Sequence, residues 1–535
     1  MMIKIRTKTI LKYAFYINTK RSFLILLFAI SFFQCSLAQH NTGSWGDQGN
    51  GTYINPILNA DYSDPDVIRV GEKYYMVCSE FHYVGMPVLE SEDMVNWKII
   101  GQVYTKLDFP KYKDNKGYGE GSWAPSIRYH DNKFWVYFCT PSEGLFMSTA
   151  EKPEGVWAPL VHVKNIGKWE DPCPFWDEDG QAYLGHSVLG AGPIIIHKMS
   201  SDGTKLLDDG LTVYTGPVAE GTKIYKQNGY YYISIPEGGV EIGWQTVLRS
   251  KNIYGPYEKK VVLEKGSTNI NGPHQGALVE TPKGEWWFYH FQSAGVLGRV
   301  VHLQPVTWKD EWPVIGVDID RNGIGEPVYV WKKPDVGNNF SITAPQTDDD
   351  FNITTLGLQW QFNHNPVNEA WSLTTKPGWL TLKALKAESF MKAHNTFTQK
   401  VMGTTGEAIT ELDISKIAEG QKAGLFSMSS IYNLLGVHKK NGKTFIFVNK
   451  NGQATNDTLI KAKKVFLKIK LDLINDKNQF FYSLDNKTYI PFGNSFETKF
   501  GYWKGTRIGL FSYNEIADEG VASFNWFIYN YDGPK

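Results

Sequence analysis

Polar and apolar positions alternate in short bursts along most of this chain, and the bursts come in pairs. Residues 61–75 read DYSDPDVIRVGEKYY and residues 171–184 read DPCPFWDEDGQAYL. Each runs a carboxylate, a proline, a short apolar strand, a turn and an aromatic-rich strand, which is the pattern of a β-hairpin. The same unit recurs, opening at Asp64, Ala124, Asp171, Glu220 and His274, with its aromatics following 10 to 12 residues later. Five units at steps of 60, 47, 49 and 54 residues, with little helical periodicity between them, predict a β-propeller of five blades over residues 45–335. Beyond Trp331 the period stops. The stretch KKPDVGNNFSITAPQT is rich in Pro, Gly, Asn and Thr, and residues 336–347 within it read as a linker. From residue 348 to 535 alternating strands continue without the repeat, as in WSLTTKPGWLTLKAL and FLKIKLDLINDKNQFFYSLD, and predict a β-sandwich. The fold class expected is all-β, a five-bladed propeller followed by a sandwich.

Composition narrows the function. Lys plus Arg and Asp plus Glu number 55 each, so no global field draws nucleic acid or an anionic membrane surface. Aromatic residues make up 14% of the chain, a level that suits strands and also suits stacking on sugars. Near the N-terminus, Lys20 and Arg21 precede an apolar run from Phe23 to Phe33, followed by Ser36-Leu37-Ala38. That is the pattern of a signal peptide cleaved after Ala38, and it predicts an exported protein, periplasmic or secreted. Cys35 raises a lipoprotein alternative, which Phe33-Gln34 before it fits badly. The run is short for a bilayer span, and no later segment approaches one. Cys78, Cys139 and Cys173 are widely spaced and odd in number, so they read as buried free thiols.

Propeller blades bring their first strands together around a channel, so the five opening residues should converge on one face. Three of them, Asp64, Asp171 and Glu220, are carboxylates. A glycosidase needs one carboxylate ionised and one carboxyl protonated, and a third nearby can hold a proton on the second by repulsion. An isolated Asp before Pro merely caps a turn, but turn-capping does not account for three carboxylates in one register. Asp61, Asp66 and Glu170 flank the favoured residues and are read as turn or surface groups. Glu237, in IPEGG, is read as a turn residue. Zinc spacings, phosphate loops and serine elbows do not occur.

The five segments NADYSDPDVIRVGEKYYMVCSEF, SWAPSIRYHDNKFWVYF, WEDPCPFWDEDGQAYLGHS, VAEGTKIYKQNGYYYISIPEGG and GPHQGALVETPKGEWWFYHFQ resemble the blades of glycoside hydrolase family 43. The C-terminal segments DDDF, LGLQWQF and PGWLTLKA resemble the concanavalin-like domain of that family's β-xylosidases. The resemblance implies an inverting exo-enzyme, a β-xylosidase or α-L-arabinofuranosidase acting on xylan- or arabinan-derived oligosaccharides. Under it Asp64 is the general base, Glu220 the general acid and Asp171 the residue that tunes and orients the acid. It places Phe81, Trp123, Arg299 and His274 among the substrate-binding residues. It puts His274 beneath the site near a channel ion, with calcium a possible structural ion and no cofactor required. An endo-arabinanase and a carbohydrate-binding protein without catalysis are the alternatives. A C-terminal domain that closes one end of the groove argues against the first, and the retained carboxylate trio against the second.

Overall fold

The computed structural model describes residues 44–534, so the expected signal peptide and Cys35 lie outside the described residues. Each of the five predicted hairpins is the inner half of a four-stranded antiparallel sheet. Blade one comprises Asp66–Val70, Lys73–Val77, Pro87–Ser91 and Lys98–Gln102, and the inner strands of the other four are Trp123–His130, Trp169–Trp176, Lys223–Gln227 and His274–Glu280. The turns follow their chemistry. Asp131-Asn132 and Asn228-Gly229 hold positive φ at both central positions, as two-residue hairpin turns require. The ring is closed by the chain ahead of blade one, because Ile57 N and Leu58 O bond to Val301 of blade five at 2.8 and 3.1 Å.

After Val330–Lys332 the chain runs without a strand across blade one, where Lys333 pairs with Asp47 and Asp93 and Thr343 N bonds to Asn96. It then builds two stacked sheets. One has seven strands, with Thr405–Lys416 and Val521–Tyr531 at its centre, and the other has nine. The last strand of the nine comes from the propeller: Tyr83–Val84, in the connection inside blade one, pairs with Gln361–Asn363. The apolar core is likewise continuous, since one cluster holds Trp97 of blade one, Trp287 of blade five and Trp360 of the sandwich. Cys78, Cys139 and Cys173 are buried and unbridged.

The interface between the two domains also contains charge. Asp61 and Glu80 of the propeller and Lys400, Lys504 and Arg507 of the sandwich are all buried. Glu80 pairs with Lys400 at 2.7 Å and Arg507 at 2.8 Å, and Asp61 pairs with Lys504 at 2.9 Å. Charges this deep are tolerated only when paired, and removing one partner strands the other. Asp61 and Asp66 are therefore not the turn or surface groups expected from the sequence. Asp66 is fully buried and paired with Arg128 at 2.6 Å. Glu237 is no turn cap either, being buried between Lys259, Tyr214 and Thr246.

Candidate active site

The backbone makes the same unusual move at the mouth of every blade. Asp64, Ala124, Asp171, Gly221 and Gln275 hold φ values of 54°, 34°, 56°, 64° and 38°. Left-handed backbone is costly for most residues, and its fivefold repetition marks the turn that feeds each inner strand into the channel. In the fourth and fifth blades the turn falls on Gly221 and Gln275, one residue after the Glu220 and His274 that the repeat singles out. That offset places Glu220 against His274, with Oε1 and Nε2 2.9 Å apart.

Each carboxylate is held differently. Asp64 accepts a 2.5 Å hydrogen bond from Ser79 Oγ and a 3.0 Å charged one from Arg299 Nη1. Asp171 accepts from Ser187 Oγ and Gly221 N on one oxygen and from Gln275 Nε2 on the other. Glu170 meets the N–H of Ala191 at 3.3 Å. Asp64, Glu170, Asp171 and Glu220 all line one cavity of about 380 Å³.

Phe81, Trp123 and Arg299, which the family resemblance places against the sugar, line it as well. Phe81 and Trp123 lie edge to face because the N–H groups of Glu80 and Phe81 bond to Ser122 O. The sandwich adds Trp503, whose ring centroid is 6.1 Å from that of Trp123. A second cavity of about 460 Å³ lies across this tryptophan pair, lined by Tyr118, Glu120, Phe500 and Tyr502. His274, expected among the substrate contacts, does not line the catalytic cavity. It is 1% exposed and packs on Phe291 behind Glu220.

Glu170 is the acidic residue that sequence reasoning set aside and the structure restores. Its carboxylate, that of Asp171 and that of Glu220 lie within 4.8 Å of one another. So many carboxyl groups in a shielded space do not all ionise near neutral pH. Burial, then the charges of Asp171 and Glu220, push Glu170 up to about 9. Burial and Glu220 push Asp171 up to about 6, against the N–H of Gly221. Burial acts on Glu220 too, but the hydrogen bond and charge of His274, then Arg299, bring it below its ordinary value. In the free site the highest proton affinity of the three belongs to Glu170 and the lowest to Glu220.

His274 Nδ1 is buried without a hydrogen-bond partner, but among the described residues it joins no group of three ligating side chains. Calcium favours six to eight oxygens.

The comparisons with known proteins decide the family. The model of glycosyl hydrolases family 43 matches residues 53–313, and that of the β-xylosidase C-terminal concanavalin A-like domain matches residues 348–530. This chain belongs to glycoside hydrolase family 43. A putative β-xylosidase of Xylanibacter ruminicola is 55% identical over 88% of each chain. A non-reducing end α-L-arabinofuranosidase of Bacteroides ovatus is 30% identical, over 89% of this chain and 94% of that one. The crystal structure of a family 43 protein from Bacillus licheniformis aligns with a TM-score of 0.78 at 28% identity, covering 89% of this chain and 99% of that one. The family 43 chain is thus a glycosyl hydrolase, all-β, with the propeller expected from its repeats and the concanavalin-like domain expected from the resemblance of its C-terminal segments. None of its helices among the described residues is long and apolar enough to cross a membrane.

Proposed function

We propose that this glycosyl hydrolase is an exported, inverting exo-enzyme that removes terminal xylosyl or arabinofuranosyl residues from xylan- or arabinan-derived oligosaccharides. The observation that carries the reading is the division of labour among the carboxylates. Asp64, braced by Arg299 and Ser79, faces the same cavity as Glu220, whose side chain keeps 19% of its surface exposed. Water attacks the anomeric carbon, Asp64 takes its proton, and Glu220 protonates the departing oxygen. A sugar in the cavity strips the remaining water from Glu220, and that desolvation raises its proton affinity toward what an acid catalyst needs. Asp171, fixed by three donors, orients this wall, and Glu170 stores a proton beside it.

Trp503 of the sandwich walls one side of the cavity, which supports terminal attack. The adjoining cavity across Trp123 and Trp503 gives the leaving saccharide room. The apolar run from Phe23 to Phe33 supports export, and N-terminal sequencing of the mature protein tests it.

The test of mechanism is the configuration of the first product. Proton NMR of aryl β-xyloside and aryl α-arabinofuranoside hydrolysis, read before mutarotation, should show the anomer opposite to the substrate. Initial product of retained configuration would overturn the roles of both Asp64 and Glu220.

A further inference from the structure

One ammonium group of the sandwich touches the backbone carbonyl of Ser79 and, through Asp61, is linked to the backbone N–H of Arg299, the two residues whose side chains hold Asp64. Lys504 is 0% exposed, and its Nζ lies 2.9 Å from Asp61 Oδ2 and 3.0 Å from the carbonyl of Ser79. From Asp61 the path is short: Asp61 Oδ1 accepts the N–H of Arg299 at 3.0 Å and the hydroxyl of Ser63 at 3.1 Å. Arg299 then donates to Asp64. From Ser79 it is shorter still, because the hydroxyl of that residue donates to Asp64 and accepts from Ala124 N. Arg299 and Ser79, the two partners of Asp64, are thus both anchored to Lys504.

The loop that carries Lys504 is shaped for this. Trp503, in left-handed backbone with φ of 63°, faces the cavity, while Lys504 dips beneath it toward the propeller. Gly505 donates its N–H to Asp61 Oδ2 at 3.1 Å. A Cβ at Gly505 would collide with Leu297 O and Gly298 N, and one at Gly298 with the Asp61 carboxylate, so glycine at both positions lets the loop seat against Arg299. The other charges facing Lys504 are Glu80, at 3.9 Å, and the Lys400 and Arg507 that pair with it. Lys400 bonds the backbone carbonyl of Asp61 at 2.8 Å, but neither it nor Arg507 bonds the Asp61 carboxylate or Ser79.

We propose that Lys504 is a positioning residue for the catalytic base: the sandwich braces Asp64 through Asp61–Arg299 and through Ser79. The proposal rests on the reading of Asp64 as the base. It is tested in the full-length protein with Lys504→Met, Asp64→Ala and the double variant, on whichever of 4-nitrophenyl β-D-xyloside and α-L-arabinofuranoside is turned over faster. Lys504→Met should lower kcat about 10- to 100-fold, as sub-ångström misplacement of a catalytic group does. KM should move less than about threefold, because the sugar-facing side chains remain. In the Asp64→Ala background the same substitution should cost almost nothing, since the group it positions is gone. Arg507→Met, which removes a cation from Glu80 in the same buried cluster but leaves the Asp61–Lys504 pair intact, should lower thermal stability while leaving kcat within about threefold.

The outcomes separate cleanly. An equal loss from Lys504→Met with and without Asp64, or an equal kcat loss in Arg507→Met, overturns the proposal and leaves the base assignment standing. Full activity in Asp64→Ala overturns the base assignment and the proposal with it. Should Lys504→Met yield no soluble protein, the same cycle is run with Asp61→Asn, which keeps the shape and removes the charge that the ammonium holds.

Discussion

Replacing Glu170 with Gln should make the fold more stable, and increasingly so as pH rises. The native site holds Glu170 up to about 9 against an ordinary value of 4.5. A native carboxyl with a raised value binds a proton that the unfolded chain has already released, so stability falls as pH climbs from 4.5 toward 9. Each unit is worth about 1.4 kcal/mol, which gives a ceiling of about 3 kcal/mol lost between pH 4.5 and pH 7. Sharing of protons with Asp171 and Glu220 lowers the realised figure below that ceiling. Gln keeps the shape, the neutral charge and an oxygen for the N–H of Ala191, and has no proton to lose. The assay is the difference in melting temperature between variant and parent at a fixed scan rate, measured from pH 4.5 to pH 8. The difference should grow in the variant's favour with pH. A constant difference across that range, or a variant that loses ground as pH rises, would refute the claim that Glu170 is protonated in the native site.

Two further outcomes follow from the geometry. Asp64→Ala and Glu220→Ala should each cut turnover by about 10²–10⁴-fold, with the Glu220 loss smaller on nitrophenyl glycosides than on oligosaccharides, because a good leaving group needs little protonation; equal losses on both substrates would count against Glu220 as the acid. Ending the chain before Asp348 should yield insoluble or inactive protein, since it strips Asp61 and Glu80 of their cationic partners and leaves the Tyr83–Val84 edge bare; a soluble propeller of full activity and unchanged substrate-length preference would refute this.

The repeat made the propeller legible before any coordinates, because each blade needs the same strand, turn and aromatic strand. It also led to Asp64 and Asp171, which occupy the left-handed turn itself. It was one residue out at Glu220 and His274, where the turn falls on Gly221 and Gln275. A sequence register locates a strand but not which residue absorbs the backbone reversal. Glu170 was misread for a related reason. Neighbours in a strand normally point to opposite faces, yet the register shift between Glu170 and Cys173 brings its carboxylate into the same cavity as Asp171. Asp61 read as a turn or surface acid, and Glu80 was not singled out at all, because their partners Lys504, Lys400 and Arg507 lie more than 300 positions away. Trp503 was hidden likewise. No local pattern marks a side chain whose role depends on another domain.

The strand Tyr83–Val84 that the propeller lends to the sandwich has a temporal meaning as well as a spatial one. Its partner Gln361–Asn363 lies about 280 residues downstream. In a chain that emerges N-terminus first at about 5–20 residues per second, that edge waits roughly a quarter of a minute to a minute for its mate. All five blades have left the ribosome by then, so the propeller is complete in sequence while blade one still carries an unsatisfied edge. The interval is a window in which a second nascent chain could offer the missing strand. Crowded synthesis should therefore favour exchange between copies at this one place, and spacing chains apart should favour the correct monomeric closure.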